Sequence, residues 1–191
     1  MTPDALATLH AHLLTALADA PAETRRLFHG RGRCWPGLEQ LTVDWLQGVV
    51  LVALFKETEH LQALKHTLLQ IEWSRFGVHT VALQHRYLPQ STTEWLVGDA
   101  IDELTITEGG LRYLIDLGKK QNSGLFLDMR YGRNWVREQA KGQRVLNLFA
   151  YTCGFSVAAI EGGADHVVNL DMARGALSRG RDNHRLNGHD L

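Results

Sequence analysis

The chain has 191 residues, of which 45% are hydrophobic, and a formal net charge of −1. These values fit one large or two small globular domains, and the near-neutral charge gives no compositional support for a dedicated nucleic-acid binder, although a local basic face is not excluded. No apolar run is long enough to cross a bilayer, and the N-terminus lacks the basic segment of a signal peptide. The two distant cysteines, Cys34 and Cys153, form no disulfide framework, so we expect a cytoplasmic protein.

The first two thirds of the chain predict strands with helices among them. Leucines at helical spacing predict an amphipathic first helix, and Pro21 ends it. Turn residues at Gln47-Gly48 and Gly109-Gly110 predict two hairpins. The predicted elements are a helix over residues 4–19, strands over 41–45 and 49–55, a helix over 57–73, and strands over 80–84, 103–107 and 111–117. This order indicates a small α+β domain.

The pattern changes after residue 118, because helices and strands then alternate, which is typical of a parallel sheet. The predicted elements are a helix over residues 129–140, a strand over 144–149, a helix over 155–161, a strand over 166–170 and a basic final helix. We therefore predict an N-terminal helix (residues 1–22), a small central α+β domain (23–118) and a third domain (119–191).

One segment of the third domain carries the chemistry. The apolar strand of residues 144–149 enters a loop of small residues that opens a helix, where backbone can approach a ligand and unpaired N–H groups face it. The next strand ends at Asp171, an acid placed to accept hydrogen bonds from both ribose hydroxyls of a nucleoside cofactor. Asn147 is a polar residue inside an apolar strand, which an ordinary βαβ unit without a ligand does not explain.

Two classes of cofactor use this geometry. A dinucleotide site requires Gly-x-Gly-x-x-Gly, whose glycines admit a pyrophosphate, and the Thr152-Cys153-Gly154 loop lacks that spacing. S-adenosylmethionine has no pyrophosphate and needs less bare backbone, so the sequence favours it. An ordinary βαβ unit without a ligand is the structural alternative.

The order of the motifs resembles that of the large-subunit ribosomal RNA methyltransferases that methylate a cytosine or guanine base. The resemblance is carried by residues 124–130 (Gly-Leu-Phe-Leu-Asp-Met-Arg), 146–156, 168–171 and 183–188, and by 35–38 with 41–44 upstream. It extends from about Arg25 to the end of the chain, and Cys153 stands where that family often has glycine. It implies an α/β fold: a small α+β domain followed by the first βαβ part of a Rossmann-like class I methyltransferase fold.

The resemblance also implies roles for individual residues. Asn147, Phe149, Tyr151, Thr152 and Gly154 would line the methionine end of S-adenosylmethionine. Two further sets complete the predicted cofactor site: Asp171 on the ribose with Met172 on the adenine, and Gly124, Phe126 and Asp128 closing the opposite side. The family's Asp-Pro-Pro-type catalytic motif follows its fourth strand, so we expect the catalytic residues downstream of Leu191.

The function implied is methyl transfer from S-adenosylmethionine to a base of ribosomal RNA by the complete protein. We expect residues 1–191 alone to be inactive, because the rest of the protein or another chain, such as a homodimer partner, is needed to complete the sheet. A noncatalytic RNA-binding or assembly module and a nucleotide-dependent oxidoreductase are the alternatives. The ten histidines are scattered, and none joins a cysteine or carboxylate at ligand spacing, so we expect no metal site.

Overall fold

The computed structural model describes residues 1–19, 21–118 and 121–191. Contacts between Cα atoms divide the chain into two compact units, Met1–Asp102 with Leu117–Gln121 and Glu103–Asp116 with Asn122–Leu191. None of the helices in the described ranges combines the length and the apolar character needed to cross a membrane.

The first unit is a five-stranded sheet with two helices. Its elements are α1 (Pro3–Ala18), β1 (Arg25–His29), β2 (Leu41–Trp45), β3 (Val49–Leu54), α2 (Leu61–Leu69), β4 (Thr80–His85) and β5 (Thr93–Val97). The strands lie in the order β1-β2-β3-β4-β5. All neighbours are antiparallel except β3 and β4, which run parallel and are connected through α2.

The core of the first unit forms where α1 and α2 bury their apolar faces. Thr2 caps α1 by accepting the Ala5 N–H at 3.2 Å, and Leu9 and Leu13 of this helix are fully buried. They belong to one hydrophobic cluster with apolar side chains of β1 to β4 and α2. Burial of leucine side chains on this scale contributes about 1.5–3 kcal/mol each to folding.

The second unit combines a hairpin with a two-stranded parallel sheet. Its elements are β6 (Glu103–Glu108), β7 (Leu111–Asp116), α3 (Arg130–Gln139), β8 (Arg144–Leu148), α4 (Gly154–Glu161), β9 (His166–Leu170) and α5 (Arg174–Leu186). β6 and β7 pair antiparallel, whereas β8 and β9 pair parallel with Arg144 opposite His166. One face of β8 and β9 is partly buried, and the other exposes Leu146, Leu148 and Leu170.

Asn183 of α5 and Asn187, which follows this helix, bind the backbone of β7. Asn183 accepts the Leu114 N–H at 2.9 Å. One turn later Asn187 accepts the Arg112 N–H at 2.9 Å and donates to the Arg112 carbonyl at 2.8 Å. The two amide side chains therefore satisfy an edge of the hairpin as another strand would.

Arg179 of α5 forms ion pairs with Glu103 and Asp116, on β6 and β7 respectively. This basic residue of the final helix is thus engaged within its own unit. These bonds explain why the hairpin groups with the second unit, whereas the sequence placed it in the domain of residues 23–118. The predicted boundary lies between residues 118 and 119, and residue 119 is outside the described residues.

The predicted α/β fold class is confirmed, including both hairpins and the alternation of β8, α4, β9 and α5. Three details differ. The predicted helix over residues 57–73 is limited to α2, because residues 56–60 are polar and largely exposed and Trp73 begins a separate 3-10 turn. Strands β1 and β5 were not predicted, and the N-terminal helix α1 packs into the core of the first unit rather than standing apart.

Candidate functional site

The loop between β8 and α4 has an unusual backbone. Three of its non-glycine residues, Phe149, Tyr151 and Cys153, have left-handed φ angles of 56°, 49° and 62°. Each such residue costs on the order of 1–3 kcal/mol, which the surrounding structure has to offset. Backbone bonds hold the loop: the Ala150 N–H donates to the Leu170 carbonyl at 3.0 Å, and the Cys153 N–H to the Ala150 carbonyl at 2.8 Å.

Asp171, at the end of β9, fixes the same loop from the neighbouring strand. One carboxylate oxygen accepts the Tyr151 N–H at 2.8 Å, and the other accepts the Ala173 N–H at 2.8 Å. These bonds from Ala173 and Tyr151 hold the pKa of the Asp171 carboxyl below its usual range, so the group is ionised at neutral pH. Each carboxylate oxygen has a second lone pair that can accept a further hydrogen bond.

The residues that precede α3, here called the facing segment (residues 122–128), lie against this loop. The Tyr151 hydroxyl donates to the Asn122 carbonyl at 3.3 Å. The buried Thr152 hydroxyl donates to the Gly124 carbonyl. Two successive side chains of the loop, Tyr151 and Thr152, therefore bind alternate carbonyls of the facing segment. These hydrogen bonds fix the two pieces of backbone to each other.

Glycines occupy two close-packed positions in these pieces, and the backbone requires glycine at the first of them. Gly124 has φ +119°, and a Cβ atom there would lie 2.8 Å from the Leu114 carbonyl oxygen. A Cβ atom on Gly154, the first residue of α4, would lie 3.0 Å from the Leu125 side chain. Beside them the rings of Phe126 and Tyr151 pack with their centroids 5.4 Å apart.

Asn147 begins a chain of polar side chains inside the second unit. Its amide nitrogen donates to the Asn169 oxygen at 2.8 Å, and the Asn169 amide donates to the Ser156 hydroxyl at 3.0 Å. The Ser156 oxygen lies 2.8 Å from Nε2 of His184. Burial, with a smaller effect from His189, lowers the pKa of His184 from 6.5 to about 4. This network is the structural reason for a polar residue in the apolar strand β8.

Cys153 fills the space beside Gly180 of α5. A Cβ atom on Gly180 would lie 2.3 Å from the sulfur of Cys153. Burial, and secondarily the charge of Asp171, raises the pKa of the Cys153 thiol to about 11. The side chain is thus a protonated packing group at neutral pH rather than a nucleophile.

All ten residues predicted for the cofactor site belong to the second unit. Direct contacts join Tyr151 to Asp171, Thr152 to Gly124 and Phe126 to Tyr151. Phe149 and Met172 are 90% and 99% exposed. The remaining predicted residues are Asp128, exposed in the 3-10 turn Leu127–Met129, Asn147, whose amide nitrogen is engaged with Asn169, and Gly154 at the start of α4.

Sequence reasoning assigned no role to two buried residues that organise the site. Asn183 is fully buried and bridges the loop and the hairpin, because its amide donates to the Thr152 carbonyl at 2.9 Å while its oxygen accepts the Leu114 N–H. Arg133 is 3% exposed and pairs with Glu108. For Asn183 the available signal was its position on the same face of α5 as the small residue Gly180, whereas Arg133 lies in a polar helix that gives no such signal.

This arrangement suits a ligand that carries a diol and has no net negative charge. An ionised carboxylate at a strand end accepts hydrogen bonds from adjacent hydroxyls, and the exposed apolar side chains Phe149 and Met172 offer contact surface beside it. The first N–H groups of α4 lack partners within the helix and can meet a carboxylate of the same ligand. Among the described residues, no group of three or more His, Cys, Asp or Glu side chains is placed to hold a metal ion.

The sequence of this chain is similar to those of known methyltransferases. The sequence model of the S-adenosylmethionine-dependent methyltransferases matches residues 25–191. "Ribosomal RNA large subunit methyltransferase I" of Erwinia tasmaniensis is 34% identical over 160 residues, which are 81% of this chain and 40% of the relative. The protein of the same name from Serratia proteamaculans is 34% identical over 172 residues, 87% of this chain and 42% of the relative.

Solved structures share the fold. A SAM-dependent methyltransferase structure from Streptococcus mutans has a TM-score of 0.82 at 24% identity and covers 98% of this chain and 49% of its own. A methyltransferase complexed with S-adenosylhomocysteine (SAH) has a TM-score of 0.80 at 25% identity, covering 97% of this chain and 48% of its own. The chain thus spans about two fifths to one half of the length of these relatives.

Proposed function

The chain belongs to the S-adenosylmethionine-dependent methyltransferases, and from this premise we propose that the whole protein transfers a methyl group from S-adenosylmethionine to a base of ribosomal RNA. The proposal for the substrate is supported by relatives whose names describe ribosomal RNA large subunit methyltransferases. A ribosomal RNA substrate would also fit a cytoplasmic location.

The residues present fit this cofactor. We propose that Asp171 accepts the ribose hydroxyls and that Met172 packs on the adenine, because the first is an ionised acceptor and the second is 99% exposed beside it. Tyr151, Thr152 and Gly154 would surround the methionine end, with the N–H groups of the first turn of α4 toward its carboxylate.

The facing segment would close the site on the opposite side of the loop. Gly124, Phe126 and Asp128 belong to it, and Phe126 is 48% exposed while its ring contacts Tyr151. Phe149 and Asn147 complete the proposed set. The exposed ring of Phe149 would contact ligand directly, whereas the carbon skeleton of Asn147 lies in β8 and its amide nitrogen is bonded to Asn169.

When bound, the cofactor supplies an electrophilic methyl group on a sulfonium centre. The contribution of this chain would be to hold the cofactor in one orientation and to exclude water with the loop and the facing segment, since positioning alone can remove several kcal/mol from a barrier. The single observation that carries the proposal is the carboxylate of Asp171 clamped beside the left-handed loop by the Tyr151 N–H at 2.8 Å.

The experiment is a tritium-methyl transfer assay on ribosomal RNA from a strain that lacks the gene, using the complete protein and S-adenosylmethionine labelled in the methyl group. We expect label in large-subunit RNA with the unaltered protein and strongly reduced label with Asp171→Ala. Labelling of a protein or a small molecule instead of RNA would contradict the proposed substrate while leaving the cofactor assignment intact.

A further inference from the structure

A buried ion pair connects the hairpin to α3. Arg133 and Glu108 are 3% and 6% exposed. Nε of Arg133 lies 2.7 Å from one carboxylate oxygen of Glu108, and a terminal guanidinium nitrogen lies 2.8 Å from the other. Two parallel bonds of this kind fix the plane of the guanidinium, which gives the pair a defined orientation as well as energy.

The remaining terminal nitrogen of Arg133 contacts the facing segment. It donates to the carbonyl of Phe126 at 3.0 Å. The carbonyls of Asn122 and Gly124 are bonded by loop side chains, so the Phe126 carbonyl is the third alternate carbonyl of this segment to be held. Arg133 holds it from outside the loop, and the same carbonyl also accepts the Met129 N–H at 3.1 Å.

Arg133 also contacts the beginning of α4. Its guanidinium carbon lies 5.9 Å from the centre of the Phe155 ring. A Cβ atom on Gly154 would lie 3.5 Å from Cδ of Arg133, so the arginine stem packs on the first turn of the helix. The hairpin also reaches this turn, because the buried Tyr113 hydroxyl lies 3.4 Å from the Gly154 carbonyl.

We propose that Arg133, oriented by Glu108, is a positioning residue for the cofactor: it sets the facing segment and the first turn of α4 relative to each other without touching the ligand. This inference rests on the proposed function, because it assumes that SAH binds between these two pieces. Its specific content is that binding depends on the bond to the Phe126 carbonyl and not only on the stability of the buried pair.

Arg137 provides a matched control one helical turn later. It also joins α3 to the hairpin, since it donates to the Gly109 carbonyl at 2.7 Å, and it pairs with Glu161 at 3.4 Å. Its bonds run to the hairpin turn and to the end of α4, away from the facing segment. Loss of this arginine should therefore affect packing of the same elements and leave the facing segment in place.

The test uses the complete protein and two readouts: the dissociation constant for SAH by calorimetry and amide hydrogen exchange of residues 125–129. The main variant is the double substitution Glu108→Leu with Arg133→Met. Replacing a buried ion pair by apolar residues often leaves stability unchanged, so the fold is kept while the donor to Phe126 is removed. We expect SAH to bind about tenfold more weakly, in line with the loss of one charge-assisted hydrogen bond that orders the site, and exchange at 125–129 to accelerate.

Arg133→Lys is the second variant and decides the matter if the double variant does not fold. It keeps the positive charge beside Glu108 but cannot bridge the carboxylate and the Phe126 carbonyl in one plane. We expect a folded protein with weaker SAH binding, whereas Arg137→Gln should bind SAH as the unaltered chain does. A folded variant at position 133 that binds SAH with unaltered affinity would overturn the inference. Failure of the unaltered complete protein to bind SAH would instead contradict the proposed function.

Discussion

Cys153 and Gly180 compete for one small space, because a Cβ atom on Gly180 would lie 2.3 Å from the Cys153 sulfur and 2.9 Å from its Cβ. Cys153 stands at a left-handed position at which glycine would be unstrained. The cysteine is thus compatible with the loop only because the facing turn of α5 carries no side chain. The identities of the two residues are coupled.

A double-mutant cycle measures this coupling. Gly180→Ala alone should destabilise the protein by about 1–3 kcal/mol through overpacking. In a Cys153→Gly background the same change should be much less destabilising, because the nearest remaining contact is the Thr152 carbonyl carbon at 3.3 Å and alanine favours a helix interior. Urea unfolding of the four proteins gives the coupling energy, and additive effects would show that the two residues do not compete.

Substitution of the buried Asn183 should strongly destabilise the second unit. Asn183→Ala leaves the Thr152 carbonyl and the Leu114 N–H without their side-chain partner. Each buried group left unsatisfied costs about 1–3 kcal/mol, so we expect a loss of at least about 2 kcal/mol in the free energy of unfolding. Asn134→Ala on the exposed face of α3 is the control, and an equal effect of the two substitutions would refute this role.

The stability of the second unit should depend on pH through His184. Its pKa in the folded protein is about 4, against 6.5 unperturbed. Below 6.5 the unfolded chain therefore binds a proton that the folded chain does not, and stability is lost as the pH falls from 6.5 toward 4. Between pH 7 and pH 5 the loss attributable to this residue should be on the order of 2 kcal/mol.

His184→Gln should remove that component of the pH dependence, whereas His60→Gln, at an exposed position before α2, should leave it unchanged. Chemical denaturation at pH 7 and pH 5 provides the comparison. If the pH profile of His184→Gln matches that of the unaltered protein, the buried histidine does not govern it.

Thr152 offers an isosteric test of the contact between the loop and the facing segment. Thr152→Val keeps the shape but removes the hydroxyl that donates to the Gly124 carbonyl, while Thr152→Ser keeps the donor. We expect the valine variant to lose about 1–2 kcal/mol of stability and to show faster hydrogen exchange in residues 122–128. The serine variant should retain slow exchange there. Equal exchange in both variants would contradict the proposed role of the bond between Thr152 and Gly124.

Much of the fold could be predicted from hydrophobic periodicity and turn residues. The leucine stripe of α1 and the Gln47-Gly48 turn are local patterns, and the structure has the helix and the hairpin where these patterns lie. Strand β1 was not predicted because two successive arginines obscure its alternation of apolar and polar residues. Strand β5 was not predicted because its residues are only partly buried.

The candidate site could likewise be predicted only in part. Asp171 and the loop after β8 follow from a strand-loop-helix pattern, which is local in sequence. The bonds that support the site are not local: Arg133 and Glu108 are 25 positions apart, and Asn183 and Leu114 are 69 positions apart. Neither pair has a spacing that sequence periodicity can detect, so the support of the site becomes visible only in the fold.

The central claim is that the complete protein binds the nucleoside of S-adenosylmethionine through Asp171, and calorimetric titration of SAH tests it most directly. The account predicts micromolar-range binding of SAH, no binding of nicotinamide dinucleotides, and at least about tenfold weaker SAH binding for Asp171→Asn. Asp165→Asn, at an exposed acid that precedes β9, should bind SAH normally. Binding of a nicotinamide dinucleotide in place of SAH, or an unaltered SAH dissociation constant in Asp171→Asn, would contradict it.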